Sequence, residues 1–283
     1  MKVLVTGATG QLGCDVCRVL NARGIGHVGV SSREFDLTDS AAVSAYMAAY
    51  RPDAVIHCAA YTKVDLAEDE QARCMAVNAQ GTACVAKACK DCGAKLLYIS
   101  TDYVFPGAGE APYGTDAPTG PVNVYGLSKL AGEEAVRETL AAYFIVRISW
   151  VFGVNGNNFI KTMLKLGESR QEVSVVADQI GSPTYTADLA PLLCDLVKTE
   201  RYGTYHATNE GFCSWVELAE EVFRQRGMAV RVNRISTAEY PTRAARPLNS
   251  RLSKASLDAC GLERLPDWKD AVARYLEELD KGR

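Results

Sequence analysis

The 283-residue chain has no excess of charge of either sign, since 31 Lys and Arg stand against 34 Asp and Glu for a formal net charge of −3. Without a bulk positive field it cannot hold a polyanion by neutralising phosphates, which excludes nucleic acid and an anionic membrane surface as main partners. No stretch approaches the roughly 18 uninterrupted apolar residues of a membrane span. Met1-Lys2 runs straight into a strand-like segment instead of an export sequence, so the chain reads as cytoplasmic. Internal repeats, heptad arrays and low-complexity segments are also missing. What remains is 48% hydrophobic and 23% charged residues, close to the soluble globular average. At about 150 residues per domain, the length implies one large domain or a core with a smaller lobe.

Cysteine is not scarce. Ten are scattered through apolar periodic segments, which suits reduced, buried thiols better than a disulfide framework. Cys14/Cys17 and Cys89/Cys92 have the C-x-x-C spacing of zinc and redox sites. Both pairs fall within predicted helices, where helix packing is the competing reading, and no metal is assigned.

Short β-branched runs alternate with segments of helical apolar spacing. Strands are predicted at Lys2 to Thr6, His27 to Val30, Ala54 to Cys58, Lys95 to Ser100 and Tyr143 to Arg147. Helices are predicted at Gln11 to Arg23, Ser40 to Tyr50, about Glu68 to Cys92, and Tyr125 to Thr139. This order implies right-handed crossovers and an α/β fold, a doubly wound parallel sheet over residues 1–150. Beyond Trp150 the pattern loosens. Helices fit Asn158 to Leu166, Ala187 to Lys198 and Ser214 to Arg226, and strands fit Val173 to Ala177 and Gly203 to His206. Residues 151–283 are therefore expected to form mainly a smaller C-terminal substrate lobe, with parts of 173–200 completing the first domain.

Gly7-Ala8-Thr9-Gly10-Gln11-Leu12-Gly13 lies between the first strand and the first helix. Glycine permits the tight turn, the close approach of backbone to a pyrophosphate and the close packing of helix on strand, while the helix N-terminus offers free N–H groups to phosphate. In this setting the loop is a Rossmann-like dinucleotide site. The second strand ends in Val30-Ser31-Ser32-Arg33, without the carboxylate that would accept from a ribose 2′-hydroxyl. Ser32 and Arg33 instead suit a 2′-phosphate, which favours NADP and leaves NAD open, because Glu34 is one position away.

Tyr125 and Lys129 stand at i and i+4 on one helix face, and Thr101 closes a strand at the carboxyl edge of the sheet, where ligands bind in open α/β folds. A ketone that receives hydride at carbon needs a proton at oxygen. A tyrosine can deliver it when a nearby ammonium stabilises the tyrosinate, and Thr101 can orient the carbonyl.

These segments resemble the extended short-chain dehydrogenase/reductases and, among them, the dTDP-4-dehydrorhamnose reductases. Further segments carry the likeness: Phe35 to Asp39, Val55 to Asp65, Val77-Asn78, Ser100 to Phe105, Arg147 to Gly153, Asp178 to Thr184 and Arg246 to Ser250. The resemblance implies hydride delivery to the C4 ketone of a nucleotide-linked 4-keto-6-deoxysugar, with Tyr125 as proton donor, Lys129 lowering its pKa and binding the nicotinamide ribose, Thr101 orienting the ketone, and Tyr125 as well as Lys129 touching the cofactor. It places Asp36 and Leu37 near the adenine, Ala59, Ala60, Tyr61 and Lys63 along the cofactor, and Thr62, Val64, Asp102, Tyr103 and Trp150 toward the sugar. Asn78 is open between a backbone contact and a proton relay, and Arg246 and Arg251 between diphosphate binding and the surface; His57 reads as a core histidine. Some relatives hold magnesium at a dimer interface. Only Asp15 of that set is placed here, so neither the metal nor a homodimer is carried over. Two other readings remain: an epimerase that keeps its NAD, and a non-catalytic NADP-binding regulatory subunit. A 4,6-dehydratase is disfavoured, because Asp102-Tyr103 stands where such enzymes have Asp-Glu.

Overall fold

A computed structural model describes residues 1–281. Six strands, β1 (Lys2–Thr6), β2 (Gly26–Val30), β3 (Ala54–His57), β4 (Lys95–Thr101), β5 (Tyr143–Ile148) and β6 (Gly203–His206), form one sheet in the order β6-β5-β4-β3-β1-β2, and every pairing is parallel. The strands are short and apolar because both sheet faces are covered. One cluster unites Val3, Val5, Ile56, Leu97 and Phe144 with helices α1 (Gln11–Ala22) and α6 (Thr186–Leu196). The opposite face unites Leu4, Val55, Leu96, Tyr98 and Ile145 with α2 (Ser40–Tyr50), α3 (Gly81–Cys92) and α4 (Val124–Thr139). The strand order reverses beside β1, between β1 and β3, and the carboxyl ends open there into a crevice.

One expectation needs correction and another gains detail. The single helix anticipated over about Glu68 to Cys92 is divided into Val64–Ala67, Gln71–Met75, a π-helical turn Ala76–Gln80, and α3. Apolar periodicity runs on across the widened turn, so it carries no sign of the break. The segment 173–200 is also split. Its helix α6 packs on α1, but its strand Glu172–Val176 pairs in parallel with Arg231–Ile235 in the C-terminal lobe. The strand that completes the main sheet is β6, further along the chain.

The lobe also contains α5 (Phe159–Gly167), α7 (Trp215–Gln225) and α8 (Trp268–Lys281). α7 begins in a capping box in which the Ser214 hydroxyl and the Glu217 carboxylate satisfy each other's backbone N–H groups. A buried ion pair ties α4 to the sheet. Arg147 on β5, 2% exposed, donates through Nε and Nη2 to the fully buried Glu133 at 2.8 and 2.7 Å, and Ser100 on β4 donates to the same carboxylate at 2.6 Å. Arg137 adds a second guanidinium at 2.7 Å, and together the two hold the Glu133 carboxyl below its ordinary value against the opposing effect of burial.

Removing one partner of such a pair leaves the other charge buried and uncompensated. Glu133→Gln is therefore expected to lower unfolding free energy by about 3–5 kcal/mol, measured as a fall in the urea midpoint at unchanged slope.

Candidate active site

The carboxyl ends of β1 to β5 and the lobe enclose a cavity of about 780 Å³. Gly7, Thr9, Gly10, Gln11, Leu12 and Gly13 form one wall. Gly7 turns the chain at φ +66°, and its carbonyl accepts from the Gly10 N–H at 2.9 Å. A Cβ on Gly13 would lie 2.2 Å from that same carbonyl oxygen, so only glycine allows helix and loop to approach this closely. Gly10 caps α1 without any side-chain hydrogen bond. The first amides of α1 are therefore left for a ligand, and with the helix dipole they suit a pyrophosphate.

The lobe secures the loop. Asn155 Nδ2 donates to the Thr9 carbonyl at 2.7 Å, and Gln11 Oε1 accepts from the Gly153 N–H and from Asn158 Nδ2, both at 3.0 Å.

Ser32, Asp36, Leu37, Ala59 and Ala60 continue the wall. Arg33, Tyr61 and Lys63 do not. Arg33 is exposed outside the lining, and the place is taken by Ser31 and Ser32. Glu34, the nearby carboxylate, is itself engaged by the Ser31 N–H at 2.6 Å and the Ser31 hydroxyl at 2.8 Å. The Tyr61 backbone is pinned by Asn78, whose amide accepts from Tyr61 N–H at 2.7 Å and donates to Tyr61 C=O at 3.0 Å, while the phenol turns away to Glu70. Lys63 precedes the short helix Val64–Ala67 and is exposed. Asn78 also donates to Ser128 on α4 at 2.9 Å. It therefore serves as a backbone clamp, projected by the π-turn between two walls of the cavity.

Thr101, Tyr125 and Lys129 line one region of the cavity together with Tyr103. α4 is oriented at its start by Asn123, whose Oδ1 accepts from the Gly126 N–H at 2.8 Å, and by Glu68, which accepts from the Val124 N–H at 2.9 Å. Tyr125 packs edge-on against Tyr103 with ring centroids 5.6 Å apart. Burial and the Asp102 carboxylate raise the Tyr125 phenol above its ordinary value, opposed by the Thr101 hydroxyl. Burial pulls the Lys129 ammonium down to about 7, with Glu133 acting against it. The amine stands over the face of Tyr98, 4.0 Å from its centroid.

Behind Tyr98 stacks His57, whose protonation is settled by its neighbours. Thr82 donates its only proton to the Asn78 carbonyl at 2.7 Å, so His57 Nε2 must donate to Thr82 at 3.2 Å and Nδ1 must accept from Thr6 at 2.6 Å. Burial and the Lys129 charge hold the ring neutral, down to about 3. It is a core histidine.

Of the residues that the resemblance turns toward the sugar, Thr62, Val64, Tyr103 and Trp150 line the cavity and Asp102 does not. It opens the turn Asp102–Val104, 3% exposed, and lies beneath Thr101. Trp150 adopts φ +48°, a left-handed conformation that non-glycine residues rarely take, and stacks on Trp215 with centroids 3.7 Å apart. Trp215, Phe159, Leu218 and Asn157 complete the lobe side of the cavity. The sequence reading missed them, although the Ser214-to-Glu217 capping box marked the start of the helix that bears Trp215.

The whole span 1–281 matches the family model described as RmlD substrate binding domain. The chain belongs to this family. It is 45% identical to a dTDP-4-dehydrorhamnose reductase of Streptomyces griseus, covering 98% of this chain and 93% of that one. To the spore coat polysaccharide biosynthesis protein SpsK of Bacillus subtilis it is 41% identical, covering 98% and 97%. The crystal structure of dTDP-4-dehydrorhamnose reductase from Bacillus anthracis in complex with NADP superposes with a TM-score of 0.96 at 45% identity, covering 98% and 99%.

Among the described residues of this family member, no group of three or more His, Cys, Asp or Glu is arranged to hold a metal. Asp15 instead accepts from Arg18 at 2.6 Å and from Thr186 at 2.5 Å. All ten cysteines are free thiols, both C-x-x-C pairs included.

Because a charged Lys129 is desolvated in the fold, Lys129→Met is expected to raise the melting temperature. The gap is widest below about pH 7 and narrows as pH climbs toward the ordinary lysine value of 10.5, where the unfolded chain also loses its proton. Thermal melts from pH 6 to 10 check this.

Proposed function

We propose that this chain reduces the C4 ketone of a nucleotide-linked 4-keto-6-deoxysugar, dTDP-4-dehydro-L-rhamnose, to the alcohol with NADPH. The observation that carries the reading is the convergence of Thr101, Tyr125 and Lys129 on the cavity whose opposite wall is the open glycine cradle. The RmlD-family match over residues 1–281 and the likeness to an NADP-bound dTDP-4-dehydrorhamnose reductase support it.

Bound in the crevice, the reduced nicotinamide supplies the hydride. The amides at the start of α1 and the Ser31-Ser32 turn would hold its phosphates, and Arg33, exposed and next to Ser32 in the chain, is the cation whose type suits a 2′-phosphate. Asp36 and Leu37 would flank the adenine, and Ala59 and Ala60 would cover the middle of the cofactor. Tyr125 gives its phenolic proton to the alkoxide oxygen. Lys129 returns a proton toward the phenolate and steadies it, a role that suits an amine brought near neutrality by burial. Thr101 orients the carbonyl. The sugar lies against Trp150, whose flat apolar face suits the C–H groups of a pyranose, with Thr62, Val64 and Tyr103 around it.

Residues 1–150, with α6 and β6, are the dinucleotide-binding part, and most of the remainder is the sugar lobe. No helix among the described residues is long and apolar enough to cross a membrane. We place the protein in the cytoplasm, where ten free thiols remain reduced.

The test is NADPH oxidation against dTDP-, UDP- and GDP-4-keto-6-deoxyhexoses, with product stereochemistry read by NMR. One NADPH consumed per sugar distinguishes reduction from epimerisation, which returns its hydride. Tyr125→Phe is expected to cut kcat by about 10²–10⁴-fold with little change in NADPH affinity, and a loss below tenfold excludes it as the proton donor. Arg33→Ala is expected to raise KM for NADPH while leaving that for NADH unchanged.

A further inference from the structure

Asp102 is unused by the mechanism above, although it is buried against one of its principal groups. Its Oδ1 accepts from the Thr101 hydroxyl at 3.0 Å, and its Oδ2 is buried with no hydrogen bond within 3.5 Å, the Ser250 hydroxyl facing the carboxylate from beyond that distance. An ionised carboxylate with an empty oxygen is costly at such a place, and the cost falls when that oxygen carries a proton.

The groups facing it are Tyr103 on its own turn, Tyr125 on α4 and the Ser250 hydroxyl on the strand Asn249–Ser250. Arg246, the cation on the neighbouring tail, is engaged by Asp65 at 2.5 Å and reaches the Tyr103 phenol at 3.4 Å. Lys129 lines the cavity beyond Tyr125. Burial pushes the Asp102 carboxyl up to about 6, and the Ser250 and Thr101 hydroxyls offset part of that rise.

A threonine hydroxyl has one proton and two lone pairs. Thr101 already accepts from the Tyr103 N–H at 3.2 Å. While Asp102 is ionised it can only accept, so the Thr101 proton is committed to it and none remains for a substrate carbonyl. When Asp102 is protonated the chain of donors reverses. The acid donates to Thr101, both lone pairs are filled, and the threonine proton points into the cavity.

We propose that Asp102 is a positioning residue that sets the direction of the Thr101 hydroxyl, aiming its proton at the substrate carbonyl only when the carboxyl is protonated. The proposal rests on the reductase reading. It gives a residue expected to touch the sugar a different task, one exerted through its neighbour.

The test compares wild type with Asp102→Asn, which is neutral at every pH, in kcat/KM for the keto sugar and in thermal melts from pH 5 to 9. Wild-type kcat/KM is expected to fall with rising pH through two breaks, near 6 from Asp102 and near 7 from Lys129. Asp102→Asn keeps only the upper one. Because a raised carboxyl pKa weakens the fold as pH climbs from the ordinary carboxyl value of 3.8 to about 6, Asp102→Asn is also expected to melt higher than wild type at pH 8, with a smaller gap at pH 5. A lower break that persists in Asp102→Asn, or a lower melting temperature than wild type at pH 8, overturns the proposal. Should that variant not fold, Thr101→Val decides, since it disconnects the carboxyl from the cavity. The break near 6 should leave its residual rate, and persistence overturns the proposal. A wild type that oxidises no NADPH with any keto sugar defeats the reductase reading instead, and the pH 8 melts still judge the state of the carboxyl.

Discussion

The arrangement of the site depends on one buried ion pair, Arg147 to Glu133. Glu133 lies one helical turn beyond Lys129 and two beyond Tyr125, so whatever fixes its azimuth on α4 fixes theirs. The fork of Arg147 on β5 and the Ser100 hydroxyl on β4 grip both carboxylate oxygens, and they set how α4 is rotated over the sheet. Ser100 and Thr101 are neighbours on one strand and point to opposite faces. The same strand end therefore anchors the helix through one residue and presents a hydroxyl to the cavity through the next. Glu133 also acts on Lys129 directly, because its charge opposes the desolvation that pulls the amine down.

A second line of polar groups links the glycine loop to the opposite wall. Thr6 ends β1 immediately before Gly7, donates to His57 and accepts from the Ala59 N–H at 3.3 Å. His57 passes the chain to Thr82 and the Asn78 backbone, and the Asn78 side chain holds both Tyr61 and Ser128. Every proton along this path has a determined direction, which requires a neutral imidazole. A second cation there would face Lys129 across Tyr98, and the neutrality of His57 avoids that repulsion.

What the sequence made legible follows from which constraints are local. Strands buried on both faces must be short and apolar, and the glycines at 7, 10 and 13 answer to backbone clashes within a single turn, so both could be read from a few adjacent residues. The π-turn at Ala76–Gln80 leaves apolar spacing intact and is visible only in how Asn78 projects. The place of β6 in the sheet depends on pairing with β5 across more than fifty residues. Arg33 was expected at the cofactor because its type suits phosphate and Lys63 because the family resemblance placed it there, but side-chain direction is decided by the turns that hold them. Trp215 escaped notice because its partner, Trp150, is reached only through a backbone conformation that a tryptophan seldom adopts.

The same distinction explains Asp102. A residue that follows the last strand position would, if the strand continued, point to the face opposite Thr101. The chain instead folds at once into the turn Asp102–Val104, with the Phe105 N–H donating back to the Asp102 carbonyl at 3.0 Å. That turn brings the carboxylate under Thr101 and leaves Tyr103 to fill the cavity wall beside Tyr125. A carboxylate and a phenol in adjacent positions thus come to serve opposite sides of one hydroxyl. The acid is kept dry behind it, and the aromatic ring narrows the space in front where the ketone must lie. Placing the acid behind the threonine rather than in the cavity wall lets it act on the cavity only through that hydroxyl.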